Sequence, residues 1–403
     1  MLELFFEKML GLESYWKVSH IEFNENGEVD IFLDFDLKVY KSNDLDFELI
    51  HDYRPNRRWR HLDILQYKTF INARIPRIKR KDSTIRSIDT SWANSNDHHT
   101  YLFECHVLDT LLITKNQTGT AFLTKSHFNL INRILHRAVE RGLERRNKEE
   151  IFEQLSIDEK SFQKGHSYVS VLSSPEKGIV LDVVKGRTIE ATRELINNSL
   201  TDFQKSKVKK ISLDMWKAYN SVVDEIFKGV VKVHDRFHLI KYLNEAVDNV
   251  RRREQKKNQI LKNSRYSLLK NTGNLTEKQY FKFEEVLSSN TKVGYVWGLK
   301  ESFKNLFGCS NYNEAFNRFS DWNSFVKWEA IPELTKVADM FCRHVKGVCN
   351  ALVDNISNAM AERLNGKIQI IKTIGRGYRK FNNFRNAILF FNGGLNLNPY
   401  NVQ

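Results

Sequence analysis

Apolar and polar residues alternate with a period of two over roughly the first 95 residues. The alternation is clearest in VSHIEFNENGEVDIFLDFDLKVY and in HLDILQYKTFINARIPRIK. A period of two predicts short strands with one buried face. The Asn26-Gly27 pair between two such runs predicts a tight hairpin turn. We therefore expect a small β-rich module at residues 1–95.

The pattern becomes helical after this module. Three segments carry apolar residues at spacings of three and four: YLFECHVLDTLLI, QTGTAFLT and SHFNLINRILHRAVERGLERR. Ser126 is placed to cap the third helix. That helix is expected to expose Asn129, Arg133, Arg137 and Arg141. Three such helices are typical of a helix-turn-helix domain whose last helix enters the major groove of DNA. A helical linker with a solvated basic face is the alternative.

Beyond residue 150, strands and helices follow in a regular order. Five apolar runs predict strands, with helical patterns between the later ones: QLSID, SYVSVL, IVLDVV, KKISL and VVKVH. A β-meander followed by alternating helices and strands is typical of an RNase H-like mixed sheet. Mostly helical sequence then interrupts this order, which indicates an all-helical insertion.

Together these patterns predict an α/β fold, α+β overall across several domains. The expected parts are a β-rich module at 1–95, a helix-turn-helix DNA-binding domain at 96–148, an RNase H-like catalytic core at 149–238 and 351–395, and a helical insertion at 239–350.

The formal net charge of +14 is unevenly distributed. Residues 1–50 carry a net charge of −8, so the rest of the chain carries +22. Residues 51–81 are the densest basic stretch, with a net charge of +8 and with Trp59 and Tyr67 interleaved. A positive groove that follows DNA phosphates accounts for such a stretch in so basic a chain. A solvated strand face is the alternative.

The four cysteines, Cys105, Cys309, Cys342 and Cys349, include no CxxC pair. They can build neither a disulfide framework nor a zinc knuckle, so we expect reduced thiols. Acidic residues break the apolar character of the N-terminal segment, unlike a signal peptide, and no apolar run approaches the ~20 residues of a membrane helix. These features predict a soluble, cytoplasmic protein with no membrane association.

Three acids stand out because of their contexts. Asp158 and Asp214 each end a short apolar run, and Glu362 lies on a helical pattern. In the predicted sheet, Asp158 lies on the central first strand and Asp214 ends the fourth, where the two positions adjoin. Such a set can bring hard oxygen ligands to a pair of Mg²⁺ ions. Glu159 is expected on the opposite face of its strand. A lone acid of this kind is more often a turn former or a helix cap, so the combination carries the hypothesis of phosphodiester chemistry.

Asp235 and His238 form a D-x-x-H spacing in VKVHDRFHLIK, between the fifth strand and the next helix. Near a carboxylate cluster we expect an auxiliary catalytic role for the pair, orienting water or the scissile phosphate. A helix cap with a hydrogen-bonded histidine is the alternative.

Five separated stretches resemble, in order, bacterial insertion-sequence DDE transposases of the ISL-three group. They are RRWRHLDILQYKTFINARIPRI, KNQTGTAFLTKSHFNLINRILHRAVERGLER, IDEKSFQKGHSY, HDRFHLIKYLNEAVDNVRR and SNAMAERLNGKIQIIKTIGRGYRKFNNFRNAIL. The resemblance implies a retroviral-integrase-like (RNase H) core with a helical insertion. It also implies Mg²⁺-dependent cutting and joining of DNA, with Mn²⁺ as a substitute, and recognition of terminal inverted repeats.

The resemblance also assigns roles to residues. It places Asp158, Asp214 and Glu362 on the family's three catalytic, metal-binding positions, and Asp235 and His238 on its D-x-x-H signature. Asn358 and Asn365 flank Glu362 on one side of its helix and are expected to help place it.

We expect double-stranded DNA as the partner, both terminal repeats and target, with a homodimer or higher assembly on DNA. The residues expected to contact DNA are Arg57, Arg58, Arg60, Lys115, Gln117, Lys125, Arg133, Arg137, Arg376 and Arg379. Members of the group usually carry a cysteine-rich zinc module before the helix-turn-helix, but this chain has no cysteine before Cys105, so we expect no structural zinc. The alternatives are a catalytically silent DNA-binding regulator and an RNase H-like nuclease without strand transfer.

Overall fold

The computed structural model describes residues 2–44, 47–94, 96–163, 167–289, 291–353 and 359–399. The chain divides into two compact units. Unit 1 comprises Met1–Arg146 and Leu395–Gln403, and unit 2 comprises Asn147–Gly394.

Unit 1 begins with seven strands and two short helices and continues with three helices. Their bounds are α1 (Leu2–Leu10), β1 (Trp16–Asn24), β2 (Glu28–Phe35), α2 (Leu37–Asn43), β3 (Phe47–Tyr53), β4 (Arg57–Arg60), β5 (Lys68–Ala73), β6 (Pro76–Arg80), β7 (Ile85–Ser87), α3 (Tyr101–Thr114), α4 (Gln117–Leu123) and α5 (Phe128–Glu144).

The strands of unit 1 form two sheets, of order β1-β2-β5-β4 and β3-β6-β7. The predicted hairpin at Asn26-Gly27 is confirmed: β1 pairs antiparallel with β2, and Gly27 takes a φ of +71°, which suits glycine. The core between these elements is apolar and aromatic, with Trp16, Trp59 and Ile71 almost fully buried. Trp59 therefore packs inside the module.

The three predicted helices of unit 1 are confirmed. Asn116 caps α4 by accepting from the Gly119 N–H at 3.0 Å. The prediction that Ser126 caps α5 is wrong: α5 begins after His127 without a side-chain cap, and the Ser126 hydroxyl bonds to Thr124 at 2.7 Å. Residues 395–398 also pack on α5, because an added Cβ at Gly142 would lie 2.7 Å from Cβ of Leu395.

Unit 2 opens with three strands and then alternates helices and strands before a long helical region. The elements are β8 (Gln154–Gln163), β9 (Ser167–Ser174), β10 (Ile179–Lys185), α6 (Ile189–Ser199), α7 (Asp202–Lys207), β11 (Lys210–Leu213), α8 (Lys217–Ile226), β12 (Val231–His234), α9 (Arg236–Gln255), α10 (Arg265–Leu269), α11 (Glu277–Ser288), α12 (Lys292–Lys304), α13 (Tyr312–Glu329), α14 (Pro332–Arg343), α15 (Val345–Val353), α16 (Ala359–Ile374) and α17 (Phe381–Asn392).

The sheet of unit 2 has the order β10-β9-β8-β11-β12. β8, β9 and β10 form an antiparallel meander, and β8, β11 and β12 run parallel. The predicted sequence of strands and helices is confirmed, with the short helix α7 as an addition. The fold is thus a mixed α/β arrangement with several sheets and many helices.

The region between β12 and α16 is helical in its described part, as the sequence predicted. Its core contains Phe303, Trp322, Phe341 and Cys349. Trp297 is partly buried against this core, with its ring centre 4.9 Å from that of Phe283, so packing is its visible role. No helix in the described ranges is both long and apolar enough to cross a membrane.

Close packing of α15 on β12 gives a test of the fold. An added Cβ at Gly347 would lie 2.5 Å from Cδ2 of the buried His234. Gly347→Ala should therefore lower the free energy of unfolding by about 1–3 kcal/mol. The control is Gly366→Ala in α16, where nothing lies within 4 Å of the added Cβ. That change should be neutral or stabilise by up to about 1 kcal/mol. Urea denaturation of both variants measures the difference; equal stabilities would contradict the packing.

Candidate active site

Two carboxylates meet at the centre of the unit 2 sheet. β8 and β11 pair in parallel, and their register sets Ile157 opposite Leu213. The next residues on the two strands are Asp158 and Asp214. The predicted adjacency of these acids is confirmed, because parallel strands keep equivalent positions side by side.

Asp158 is surrounded by three side chains that stabilise its charge. The Lys160 ammonium lies 2.9 Å from Oδ2, and the Asn365 amide donates to the same oxygen at 2.6 Å. His238 places Nε2 3.5 Å from Oδ1. Lys160 follows Asp158 by two residues along β8, so both project from the same face of the sheet.

Asp214 shares the same histidine. Nδ1 of His238 lies 3.4 Å from its Oδ2, and the Tyr242 hydroxyl lies 3.3 Å from both carboxylate oxygens. The backbone N–H of Met215 donates to Oδ1 at 2.6 Å. His238 and Tyr242 are four residues apart on α9, so one face of this helix serves the site.

The charges of these groups are coupled. Burial by itself would raise the pKa of Asp158, but the hydrogen bond from His238 and the nearby Lys160 lower it to about 2. Burial would lower the pKa of His238, yet its contact with Asp158 and the charge of Asp214 raise it. Burial and the adjacent Asp214 carboxylate raise the pKa of Tyr242. The arrangement therefore favours the ionised form of Asp158.

The two members of the D-x-x-H spacing, Asp235 and His238, have different positions and contacts. Asp235 is the N-cap of α9 and accepts from the Phe237 N–H at 2.8 Å, while His238 lies between the two aspartates. Glu159 pairs instead with Arg187 at 2.7 Å, away from Lys160 and Asn365.

The third predicted acid lies on α16. Glu362 is part of this helix, one turn before Asn365, but its side chain is outside the described residues, as is all of Asn358. The Asn365 amide donates to Asp158, and the expectation that Asn365 helps to place Glu362 stays a prediction. Sequence reasoning missed this contact, together with the roles of Lys160 and Tyr242. The available signals were the position of Lys160, two residues after Asp158 on a strand, and that of Tyr242, four residues after His238 on a helix.

Two adjacent carboxylates suit hard divalent cations, because such cations prefer oxygen donors. Among the described residues, one group brings three candidate ligand atoms within 4.8 Å of one another, and it lies in unit 1: Asp97, His99 and Glu104. Arg137 forms an ion pair with Asp97, and Arg141 lies 2.5 Å from Glu104. Because these arginines already balance its charge, we interpret this group as a buried ionic cluster.

The predicted DNA contacts in the basic stretch are largely engaged within unit 1. Arg60 is 7% exposed and pairs with Asp63, so the structure contradicts a DNA contact for this residue. Arg58 pairs with Asp30 at 2.7 Å and with Glu28 at 2.8 Å. These arginines form ion pairs within unit 1, which neither the DNA groove nor the alternative of a solvated strand face predicted.

Three more of the predicted contacts also have partners within unit 1. Arg57 donates to the Asp97 carbonyl at 2.9 Å, and Lys125 lies 2.9 Å from a carboxylate oxygen of Asp63. Arg137 is half-exposed but is paired with Asp97.

Other predicted DNA contacts remain at the surface. The exposed ones are Lys115, Arg133, Arg376 and Arg379. Gln117 is half-buried in the first turn of α4.

Comparison with known proteins identifies the class. The family model described as a transposase, of the DDE ISL3 type, matches residues 155–388, which is more than half of the chain and includes Asp158, Asp214 and Glu362. The chain belongs to the ISL3 family of DDE transposases. The resemblance seen in the sequence is therefore confirmed.

Two relatives show how far the similarity extends. The transposase for insertion sequence element IS1557 of Mycobacterium tuberculosis is 24% identical over 351 residues, covering 80% of this chain and 78% of the relative. The transposase for insertion sequence element IS1001 of Bordetella parapertussis is 27% identical over 235 residues, covering 56% of this chain and 58% of the relative.

The Lys160–Asp158 pair predicts a stability effect in the absence of metal. Lys160→Met should lower the free energy of unfolding in EDTA by about 1–3 kcal/mol, since it leaves a partly buried carboxylate less compensated. Lys209→Met is the matched control, because Lys209 pairs with Glu153 at 2.7 Å on the exposed surface of the same unit. That variant should change stability by less than about 0.5 kcal/mol. Equal effects in chemical denaturation would show that Lys160 does not compensate Asp158.

Proposed function

We propose that this chain is an active DNA transposase, which binds the terminal inverted repeats of an insertion sequence and cuts and joins DNA. The observation that carries the proposal is the Asp158–Asp214 pair on adjacent parallel strands, beside the helix that contains Asn365 and Glu362. The strand order β10-β9-β8-β11-β12 supports an RNase H-like core, with the helical region between β12 and α16 as its insertion.

Asp158, Asp214 and Glu362 are the proposed ligands of Mg²⁺, for which Mn²⁺ could substitute. The adjacent carboxylates fit a divalent cation of this kind, because two hard anionic oxygen ligands lie side by side. Bound in pairs, such ions activate a water or a 3′-hydroxyl and stabilise the leaving oxyanion.

The cationic side chains beside the two carboxylates also favour binding of another anion, the scissile phosphate. Lys160 and His238 balance Asp158 and Asp214 in the metal-free protein. Both side chains then stand within reach of a phosphate brought to the carboxylates. The role of Asp235 is indirect. It caps α9 and fixes the first turn of this helix, and thereby the position of His238.

DNA recognition is assigned to unit 1. α4 and α5 are joined by a four-residue turn, the arrangement of a helix-turn-helix, and α5 presents Asn129 and Arg133 to solvent. Lys115 at the end of α3 lies near the start of α4, where backbone N–H groups favour phosphate. We propose double-stranded DNA ends and target DNA as substrates, and a dimer or higher assembly on them.

Two other functions remain distinct candidates. A silent regulator would bind the terminal repeats without cleaving them, and a nuclease would cleave without joining. Incubation of the protein with cognate end DNA and a supercoiled target, in Mg²⁺ and then in Ca²⁺, separates the three. Our proposal requires cleaved ends and joined products in Mg²⁺ and binding alone in Ca²⁺.

Substitution of each acid tests the catalytic assignment. Asp158→Asn, Asp214→Asn and Glu362→Gln should each reduce end cleavage on the order of 10³-fold or more, because each removes a ligand charge with little change of volume. Binding to the terminal repeat should remain. Asp224→Asn is the control, because Asp224 is exposed and pairs with Lys232 at 2.8 Å. Near-normal cleavage by one of the three variants would remove that residue from the site.

Two arginines of α5 differ in their surroundings: Arg133 is exposed, and Arg137 is paired with Asp97. Arg133→Ala should weaken binding to the terminal repeat and reduce the slope of log affinity against log salt by about 0.9 if Arg133 contacts a phosphate. If it contacts a base, discrimination against random DNA should fall by ~1–3 kcal/mol instead. Arg137→Ala should mainly lower the free energy of unfolding by about 1–3 kcal/mol, because buried Asp97 loses its partner. Titrations at several salt concentrations, with denaturation curves, check both; unchanged binding by the Arg133 variant would contradict its role.

A further inference from the structure

A cleft of about 920 Å³ lies along α9 in unit 2. The exposed Phe237 lies on one wall with Lys241 and Asn244, and Arg265, Lys304 and Phe307 lie on the other. This volume is within the range of pockets that hold molecules of drug or nucleotide size. It is too small to enclose a DNA duplex.

The lining of the cleft favours an anion. Five cations contribute to it against two acids, Glu245 and Asp248. Asp248 is paired with Arg252 at 2.8 Å and with Arg265 at 3.5 Å, and Lys304 is paired with Glu301 at 2.8 Å, so these pairs offset part of the positive charge. The lining nevertheless carries three more cations than acids. An occupant with several negative charges is therefore attracted to this wall.

The cleft also offers selective contacts. Asn244 belongs to the lining, and its side-chain oxygen is buried without a hydrogen-bond partner among the described residues. Phe237 is 59% exposed, so its aromatic ring is available to an occupant of the cleft. Negative charge and a flat ring occur together in a nucleotide.

The location links the cleft to the carboxylates. Phe237 directly precedes His238, and the two ring centres are 5.6 Å apart. Lys241 likewise precedes Tyr242, so two neighbouring faces of α9 border the cleft and the site. The cleft therefore adjoins the residues of α9 that contact the carboxylates.

We propose that this cleft binds unpaired nucleotides of the strand that continues from the scissile phosphate. Phe237 stacks on a base, and Lys241 contacts a phosphate. Stacking on an aromatic ring requires an unpaired base, which selects a single strand over a duplex. This inference rests on the proposed function for its position beside the reaction, although the binding itself needs no catalysis.

The test uses full-length Asp158→Asn protein in EDTA, so that cleavage plays no part. The probe is an eight-nucleotide oligothymidylate with one central 2-aminopurine. The double variant Phe237→Leu/Lys241→Gln should weaken its binding about tenfold or more. The quenching of 2-aminopurine on binding should disappear, and the salt slope should fall by about 0.7, the value for one contact to a single strand.

Phe281→Leu/Lys278→Gln is the matched control. Phe281 is 67% exposed on α11, and Lys278 is exposed one turn earlier, both in unit 2 but outside the cleft lining. This control should bind the probe as the parent protein does. Thermal denaturation checks that both double variants are folded.

Three results would overturn the inference. They are unchanged probe binding by the cleft variant, equal competition by a duplex of random sequence, and absence of any binding to the single strand. Failure of the proposed function has a different signature, because it would appear as normal cleavage by the carboxylate variants in Mg²⁺.

Discussion

The site depends on one constraint: the carboxylates of Asp158 and Asp214 are held next to each other in a partly buried position. The parallel register of β8 and β11 forces Asp158 and Asp214 into adjacency, and their mutual repulsion opposes folding. The protein offsets this cost with a lysine two residues along the same strand and a histidine between the two carboxylates. A slip of one residue in the register would turn Asp158 to the other face and disperse the whole group.

Helix α9 contributes side chains both to the carboxylate site and to the cleft beside it. Its start is fixed by the Asp235 cap, so the faces that follow are fixed as well. His238 and Tyr242 stand toward the carboxylates, and the neighbouring stripe of the helix lines the cleft. One short hydrogen bond at the helix start therefore sets the relation between the charged centre and the surface beside it.

The sequence predicted the parts of the structure that local signals determine. Strand alternation and the ends of apolar runs were enough to place Asp158 beside Asp214 and to predict the hairpin at Asn26-Gly27. Contacts between distant segments could not be predicted in this way. Arg58 is neutralised by Asp30, which lies 28 residues away, and Asn365 reaches across 207 residues to Asp158. A basic run therefore looked like a DNA surface, although tertiary ion pairs engage much of it.

The last segment of the chain has a consequence for how the protein can be divided. Residues 395–398 return to unit 1, where the Leu397 and Asn398 carbonyls accept from Arg141 and Arg145 at 2.8 and 2.6 Å. Unit 2 is therefore inserted, in covalent terms, into unit 1. A fragment that stops at residue 146 lacks the segment that contacts Arg141 and Arg145, whereas unit 2 is one continuous stretch of chain, residues 147–394. An affinity tag fused closely behind residue 399 would likewise be attached to unit 1.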